Sequence, residues 1–274
     1  MPSPDDLVSV IVPTRDSART LGACLESVRK QTWPDVEVIV VDARSTDATP
    51  DIARAHGRLL TLDSERSTAR NAGAREARGA FVLFIDSDMV LDPRVVEDCV
   101  RLARAGSDAV VVPEVGVGEG FWSACRALEK ACYVGDDDIE AARFTRRDLF
   151  LRVGGYDETL QVAGDDWDLH QRLVAAGARV ARCPSVIRHD EGRLRLGHTA
   201  RKKFYYGTTL RAYRRRHPAK ARRQLRVLRP AFLRNWRLLA RSPGRAAGLL
   251  VLKTVEFAAG GMGYAWALLG RGPR

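Results

Sequence analysis

Short runs of β-branched and apolar residues, each followed by a stretch patterned as a helix, govern what this chain can fold into. VSVIVPT (8–14) precedes ARTLGACLESVRKQ, VEVIVVD (36–42) precedes TPDIARAHG, and RLLTLD (58–63) precedes STARNAGAREARG. FVLFID (81–86) then precedes PRVVEDCVRLARAG, and AVVVPE (109–114) follows. These runs are continuously apolar rather than alternating, so both faces of each strand must be covered. Strands of that kind alternating with helices predict a mostly parallel sheet in a three-layer, Rossmann-like α/β/α arrangement. With 274 residues, 45% of them hydrophobic, the chain has material for one large domain, or one domain with an appendage.

Charge divides the chain unevenly. Between Arg193 and Arg245 there are eighteen Lys and Arg and no Asp or Glu, leaving 27 basic against 34 acidic groups elsewhere. The formal charge of +11 therefore belongs to one part, and two different kinds of partner are expected. The five cysteines form no C-x-x-C pair, which predicts a reducing compartment rather than a disulfide frame or a zinc site. MPSPDDLVSVIVP carries acids where a signal peptide carries lysines, so a cytoplasmic setting is expected.

In open parallel sheets, ligands bind beyond the carboxyl ends of the strands. Asp42, Asp63 and Asp86 each fall at such an end. Asp47 and Asp51 read as helix caps. Asp86-Ser87-Asp88 is a D-x-D whose carboxylates, two apart on an extended backbone, are expected to point the same way and to need a positive partner. Hard oxygen ligands there suit Mn²⁺ or Mg²⁺, although solvated acids at a strand-to-loop transition look the same in sequence. In GDDWDLHQRLVAAG, Asp165, Asp166 and Asp168 open a helix. They read either as caps that complement the helix dipole or as a source of a general base. Arg70-Asn71 is either surface or an anion contact, and His189 is either structural or a nitrogen ligand.

Taken in order, VSVIVPTRD, LESVRKQTWPDVEVIVVDARSTDAT, STARNAGAREARGAFVLFIDSDMVL and VGGYDETLQVAGDDWDL resemble family 2 glycosyltransferases of the GT-A fold, over about residues 7–195. The resemblance implies transfer of a sugar from a nucleotide-sugar donor to an acceptor hydroxyl in one inverting displacement. It places Pro13, Arg15 and Asp42 at the nucleobase, Arg70, Asp86 and Ser87 along the donor, and Asp88 on a divalent metal, with His189 a further metal or phosphate contact. Asp166 matches the catalytic base, with Asp165 beside it where the family usually has Glu. Arg15 in place of an aromatic residue, Ala43 in place of a second acid, and Asp165 for Glu depart from the pattern and bear on which nucleotide is bound.

Residues 196–274 differ from this region. The basic run suits nucleic acid or an anionic bilayer, which attracts cations at about 1 kcal/mol each. AAGLLVLKTVEFAAGGMGYAWALLG (246–270) follows and is interrupted only by Lys253 and Glu256, which are spaced to pair. Nucleic acid is thereby disfavoured. An interfacial or re-entrant anchor, a single span and a soluble helix remain open, with a break expected at Gly260-Gly261-Met262-Gly263. The sequence thus predicts a GT-A domain over 1–195 and a membrane-associating extension over 196–274, acting on a lipid-linked or cell-envelope glycan at the cytoplasmic membrane face. A binding or scaffold protein with a decayed site is the alternative. A pyrophosphorylase or an NAD enzyme would need a glycine-rich phosphate loop, which PTRDSART lacks and the lone GVGEG (116–120) does not supply.

Overall fold

The computed structural model describes residues 6–160, 164–226 and 229–269. Positions 161–163, inside the last family-like motif, and Gly270, at the end of the apolar stretch, lie outside the described residues. In chain order the elements begin β1 (Val8–Thr14), α1 (Ala18–Arg29), β2 (Val36–Asp42), α2 (Thr49–His56), β3 (Arg58–Thr61) and α3 (Arg66–Glu76). β4 (Phe81–Phe84), β5 (Met89–Leu91), α4 (Val95–Arg104), β6 (Ala109–Val111), β7 (Glu114–Glu119) and α5 (Gly120–Tyr133) follow. Next come β8 (Ala142–Arg146), α6 (Arg147–Arg152), α7 (Asp165–Ala175), β9 (Val180–Arg182) and β10 (Ile187–Arg193). The chain closes with α8 (Leu196–Arg216), α9 (Pro218–Gln224), α10 (Pro230–Arg234), α11 (Trp236–Ala240) and α12 (Pro243–Leu268).

Two compact units result. The first holds Met1–Pro113, Ala141–Glu158 and Asp166–His189; the second holds Glu114–Glu140, Thr159–Asp165 and Asp190–Arg274. The charge boundary at 195 falls inside the second unit, which also takes in Glu114–Glu140.

In the first unit, a seven-stranded sheet runs β3-β2-β1-β4-β8-β6-β9. β1 pairs in parallel with β2 and β4, β2 with β3, and β6 with β9, while β8 runs antiparallel to β4 and β6. Every residue of β1 is buried, as its unbroken apolar run requires. Val8, Val10 and Val12 pack with Leu21, Leu25 and Val28 of α1 and Val100 of α4. Ile11 faces the other way, with Ala69 and Ala74 of α3 and Phe150 of α6. Period-2 alternation thus feeds two helical layers from one strand. Gly73 lets α3 sit close on the sheet, since a Cβ there would lie 2.6 Å from Ile11 Cγ2. The strand order reverses at β1, between β2 on one side and β4 on the other, which is where open α/β sheets offer a ligand crevice.

Three strands end earlier than the sequence predicts, β6 among them at Val111. β3 stops at Thr61, so Asp63 lies in an exposed loop, and β4 stops at Phe84 because the chain turns, with Met89 N–H donating to Asp86 O at 3.0 Å.

In the second unit, α12 runs unbroken through Gly260-Gly261-Met262-Gly263. These glycines serve close approach instead of a break. A Cβ on Gly263 would lie 2.0 Å from Phe204 O of α8, and one on Gly207 would lie 2.1 Å from Gly260 O. Lys253 and Glu256 pair at 2.7 Å as their spacing predicts, but both also reach α5. Lys253 Nζ donates to Glu129 Oε1 at 2.8 Å, and Arg126 bridges Glu129 and Glu256. Burial raises the Glu256 carboxyl, but Lys203, Lys253 and Arg126 outweigh it and hold the group below its ordinary range. Removing one partner of such a cluster leaves a buried charge unpaired, at about 3–5 kcal/mol. Lys253→Met is therefore expected to lower urea-unfolding stability by about that amount. Arg29→Ala, which breaks a solvent-exposed Glu26 pair, should cost far less. Equal losses for the two variants would contradict this account of the cluster.

Candidate active site

Loops leaving β1, β2 and β4 meet at the carboxyl end of the sheet. Asp42, the last residue of β2, is buried and already committed. Its Oδ1 accepts from Thr14 Oγ1 at 3.0 Å and Ser45 Oγ at 2.5 Å, and its Oδ2 accepts from Ser45 N–H at 2.9 Å. It therefore fastens the β1 and β2 ends together. Asp16, in the left-handed region at φ 45°, reaches across the same gap, where its Oδ1 accepts from Thr46 N–H at 2.8 Å. Asp47 takes the Thr49 N–H at 2.9 Å just ahead of α2, but the N-cap position itself is Ala48, so Asp47 is not the cap residue. Pro13 is buried in β1 opposite Val41, and Arg15 just beyond it is exposed. Ser87, after β4, donates to Ser17 Oγ at 2.9 Å, bridging the β1 and β4 loops at the point where strand order reverses.

Asp86 and Asp88 do not lie on an extended strand, since β4 ends at Phe84. The turn after β4 sends them to different partners, which corrects the expectation drawn from an extended backbone. Asp86 meets Arg70 of α3, whose guanidinium is fully buried and forked between two acids. Nη2 donates to Asp86 Oδ1 at 2.7 Å and Nη1 to Asp166 Oδ1 at 2.8 Å. The positive partner the two-carboxylate motif called for is, for Asp86, an arginine from the preceding helix. Asp166 stands at the start of α7. Asp165 beside it is buried, and Asp168 is tied to Arg172 at 2.7 Å, so that acid anchors the helix.

Three further residues complete the setting, of which Tyr156 and Arg143 are given no role by sequence inspection. Tyr156 lies under Arg70, with the guanidinium carbon 4.9 Å from the ring centroid. Asn71 holds that tyrosine's backbone: its Nδ2 donates to Tyr156 O and its Oδ1 accepts Tyr156 N–H, both at 2.8 Å. Arg143 belongs to β8, where Val110 pairs with Phe144 but Val111 pairs with Ala142, so Arg143 is the extra residue of a β-bulge. Bulges re-aim side chains next to functional sites. Here Arg143 Nη2 comes within 3.9 Å of Asp86 Oδ2.

These cations set the ionisation of both acids. Burial raises the Asp166 carboxyl, but Arg70, Arg143 and Arg66 overcome it, and the group is held below its ordinary range despite the opposing charge of Asp86. Asp86 is lowered too, by Arg70, Arg143, Arg66 and His189 acting against burial. Depressed carboxyls contribute stability above the unfolded pKa near 4, and that contribution fades as pH falls through the folded value. Arg70→Met removes the leading favourable charge, so the Asp166 carboxyl is expected to hold its proton to higher pH. The acid limb of the pH–rate profile should move to higher pH with it; an unmoved limb would detach Asp166 from the rate.

Asp88 has a different environment. Antiparallel pairing of β10 with β5 sets His189 opposite Met89, which brings its Nε2 to 3.3 Å from Asp88 Oδ2. Asp88 Oδ1 is buried with no hydrogen-bond partner. A carboxylate oxygen in that state fits a divalent cation. Two neighbouring ligands about 2.1 Å from one ion also lie roughly 3 Å apart, close to the separation found here. Among the described residues no cluster of three or more His, Cys, Asp or Glu converges. The chain would thus supply two ligands, leaving water and phosphate oxygens to complete the shell, as Mg²⁺ and Mn²⁺ commonly allow.

The family model described as glycosyl transferase family 2 matches residues 9–156, and the chain belongs to that family. It is 36% identical over 111 residues to the glycosyltransferase EpsH of Bacillus subtilis, a match covering 38% of this chain and 32% of that one. It is 31% identical over 198 residues to a PGL/p-HBAD biosynthesis glycosyltransferase of Mycobacterium bovis, covering 66% of this chain and 75% of the relative. The chain thus spans about a third of the first relative and three quarters of the second. Among solved structures, the mannosyltransferase PcManGT of Pyrobaculum calidifontis in complex with GDP-Man and Mn²⁺ superposes with a TM-score of 0.64 at 22% identity, over 97% of this chain and 89% of that one. The mostly parallel α/β sheet is accordingly of the GT-A type, as the sequence motifs predict.

Proposed function

We propose that the chain transfers a sugar from a nucleoside-diphosphate sugar to an acceptor hydroxyl, with inversion at the anomeric carbon. The observation that carries this reading is the Arg70 fork, which joins a donor-side carboxylate, Asp86, to the candidate base, Asp166, on one buried guanidinium. Pro13, Arg15 and Asp42 flank the nucleobase, and Ser87 lies along the donor. In the displacement the acceptor oxygen bonds to the anomeric carbon as the bond to the diphosphate oxygen breaks. The electron pair leaves with the diphosphate, and the acceptor proton passes to Asp166. Because Oδ1 is held by Arg70, Oδ2 is the oxygen that takes the proton. Arg70 fixes the angle of that carboxylate and keeps it ionised. Asp165 stands beside it at the head of α7.

Asp88, with His189, would hold a Mn²⁺ or Mg²⁺ ion; when bound, such an ion neutralises the departing diphosphate. A GT-A structural neighbour holds GDP-Man and Mn²⁺ together, which supports both the donor class and the ion. The acceptor we infer is a lipid-linked or cell-envelope glycan at the cytoplasmic membrane face, with residues 1–195 catalytic and 196–274 associating with the membrane. The motive is the charge asymmetry of the sequence together with α12, whose length and composition would suffice to cross a bilayer. A thermal-shift panel of nucleotide sugars, each with Mn²⁺ or with chelator, tests donor and ion together. A metal-dependent rise in melting temperature with one nucleotide family is expected, and no stabilisation by any donor would overturn the reading.

A further inference from the structure

α12 has two unlike sides. The side seated within the second unit carries Leu249, Leu252, Lys253, Glu256, Ala259 and Gly263, all buried. The opposite side is solvent-exposed and bears no charge. Ala247, Val251, Ala258, Met262, Ala265 and Leu269 run along it at helical spacing, with Leu250 and Trp266 on its flanks. Thr254 is the polar residue on this side, and its hydroxyl is turned inward, donating to Leu250 O at 2.9 Å. The stripe from 247 to 269 extends over about 33 Å at 1.5 Å per residue. Continuous apolar exposure of that kind marks an interaction surface.

Its surroundings identify the partner. Arg214 of α8 lies over Tyr264 of α12, its guanidinium carbon 4.6 Å from the ring centroid. With Arg222, Pro218 and Leu225 it lines a hollow of about 490 Å³. Neither Arg214 nor Arg222 is bridged to a carboxylate among the described residues, and the run from Arg193 to Arg245 contains no acid. Trp236, on α11 just before α12, is 59% exposed among further arginines. An uncharged stripe beside arginines such as Arg214 and Arg222, which no carboxylate among the described residues neutralises, complements a bilayer with anionic headgroups and apolar chains.

The inner side decides the orientation. Lys253 and Glu256 are bound to Arg126 and Glu129 of α5, and Lys203 of α8 lies 3.5 Å from Glu256. Crossing a bilayer would require α12 either to leave these partners or to carry their charges into hydrocarbon, both costly. Lying flat keeps the cluster inside the protein while the outer stripe enters the interface.

We propose that α12 lies in the plane of an anionic membrane surface, outer stripe down, as a peripheral anchor with Arg214 and Arg222 meeting phosphate headgroups. This deepens the membrane reading proposed above and rests on it. The test uses the full chain sedimented with phosphatidylcholine vesicles, with or without one-third phosphatidylglycerol. Binding is expected only to the anionic vesicles, with release by alkaline carbonate. Met262→Glu and, separately, Leu250→Glu lie on the exposed side. Each should weaken vesicle binding at least about tenfold with an unchanged melting temperature. Arg214→Glu with Arg222→Glu should abolish the preference for anionic lipid. Retention after carbonate, unchanged binding in either stripe variant, or a dimer that the stripe variants disrupt would overturn the proposal. Donor turnover with water or a soluble acceptor, measured on the same samples, separates the two claims. Normal turnover without vesicle binding defeats only the anchor, and vesicle binding without turnover defeats only the enzyme reading.

Discussion

Asp166→Asn is expected to lower sugar transfer by about 10²–10⁴-fold while leaving donor binding nearly unchanged. The amide keeps the shape of the side chain, and its oxygen can still accept from Arg70. It cannot take a proton from the incoming hydroxyl. Because Arg70 and Arg143 hold this carboxyl ionised, wild-type rates should not fall on the acid side until pH drops below the ordinary carboxylate range. The measurement is a steady-state comparison of kcat and KM, alongside donor titration. A loss confined to kcat assigns Asp166 to the chemical step; a variant with full activity would remove Asp166 from that step, and donor binding without transfer by the wild type would favour a sugar-nucleotide-binding protein whose catalytic site has decayed.

Asp88→Ala, or chelation of the wild-type protein, is expected to be nearly as damaging. Stabilising a departing diphosphate contributes several kcal/mol, and about 3–4 kcal/mol corresponds to a loss of roughly 10²–10³-fold in rate. The two treatments differ in one respect. Added Mn²⁺ should restore the chelated wild type fully, but Asp88→Ala only at much higher ion concentrations, since one protein ligand, His189, would remain. Full rescue of Asp88→Ala at ordinary Mn²⁺ levels would remove Asp88 from the ion's shell. In the same experiment Asp86→Ala should leave the Mn²⁺ requirement in place, because Asp86 is engaged by Arg70 while the close partner of His189 is Asp88.

What was legible in the sequence followed from local rules. Continuous apolar runs separated by helical stretches specify strands covered on both faces, and the seven-stranded sheet has that form. Acids at strand ends flagged Asp42, Asp86 and Asp88, and the first turn of α7 flagged Asp166. What stayed hidden depended on pairings far apart in the chain. Nothing within DSDMVL says that His189 will stand beside Asp88, because that contact arises from antiparallel pairing of β10 with β5. Arg143 carries no local signal in the sequence; its approach to Asp86 goes with the bulge in β8. Arg70 was visible, but its complete burial between two carboxylates depends on α3 closing on the sheet through Gly73. The expected helix break at Gly260–Gly263 failed for a similar reason. Glycines that look like a breaker in isolation permit the close packing of α12 against α8.

The most direct test of one base acting opposite one leaving group is the anomeric configuration of the first product. Proton NMR of that product, recorded before mutarotation with a characterised donor and either water or a simple alkyl glycoside as acceptor, reads it at the reacting carbon. Inversion relative to the donor is the result predicted by a single displacement assisted by Asp166. Retention would require a second displacement at that carbon and would contradict the account.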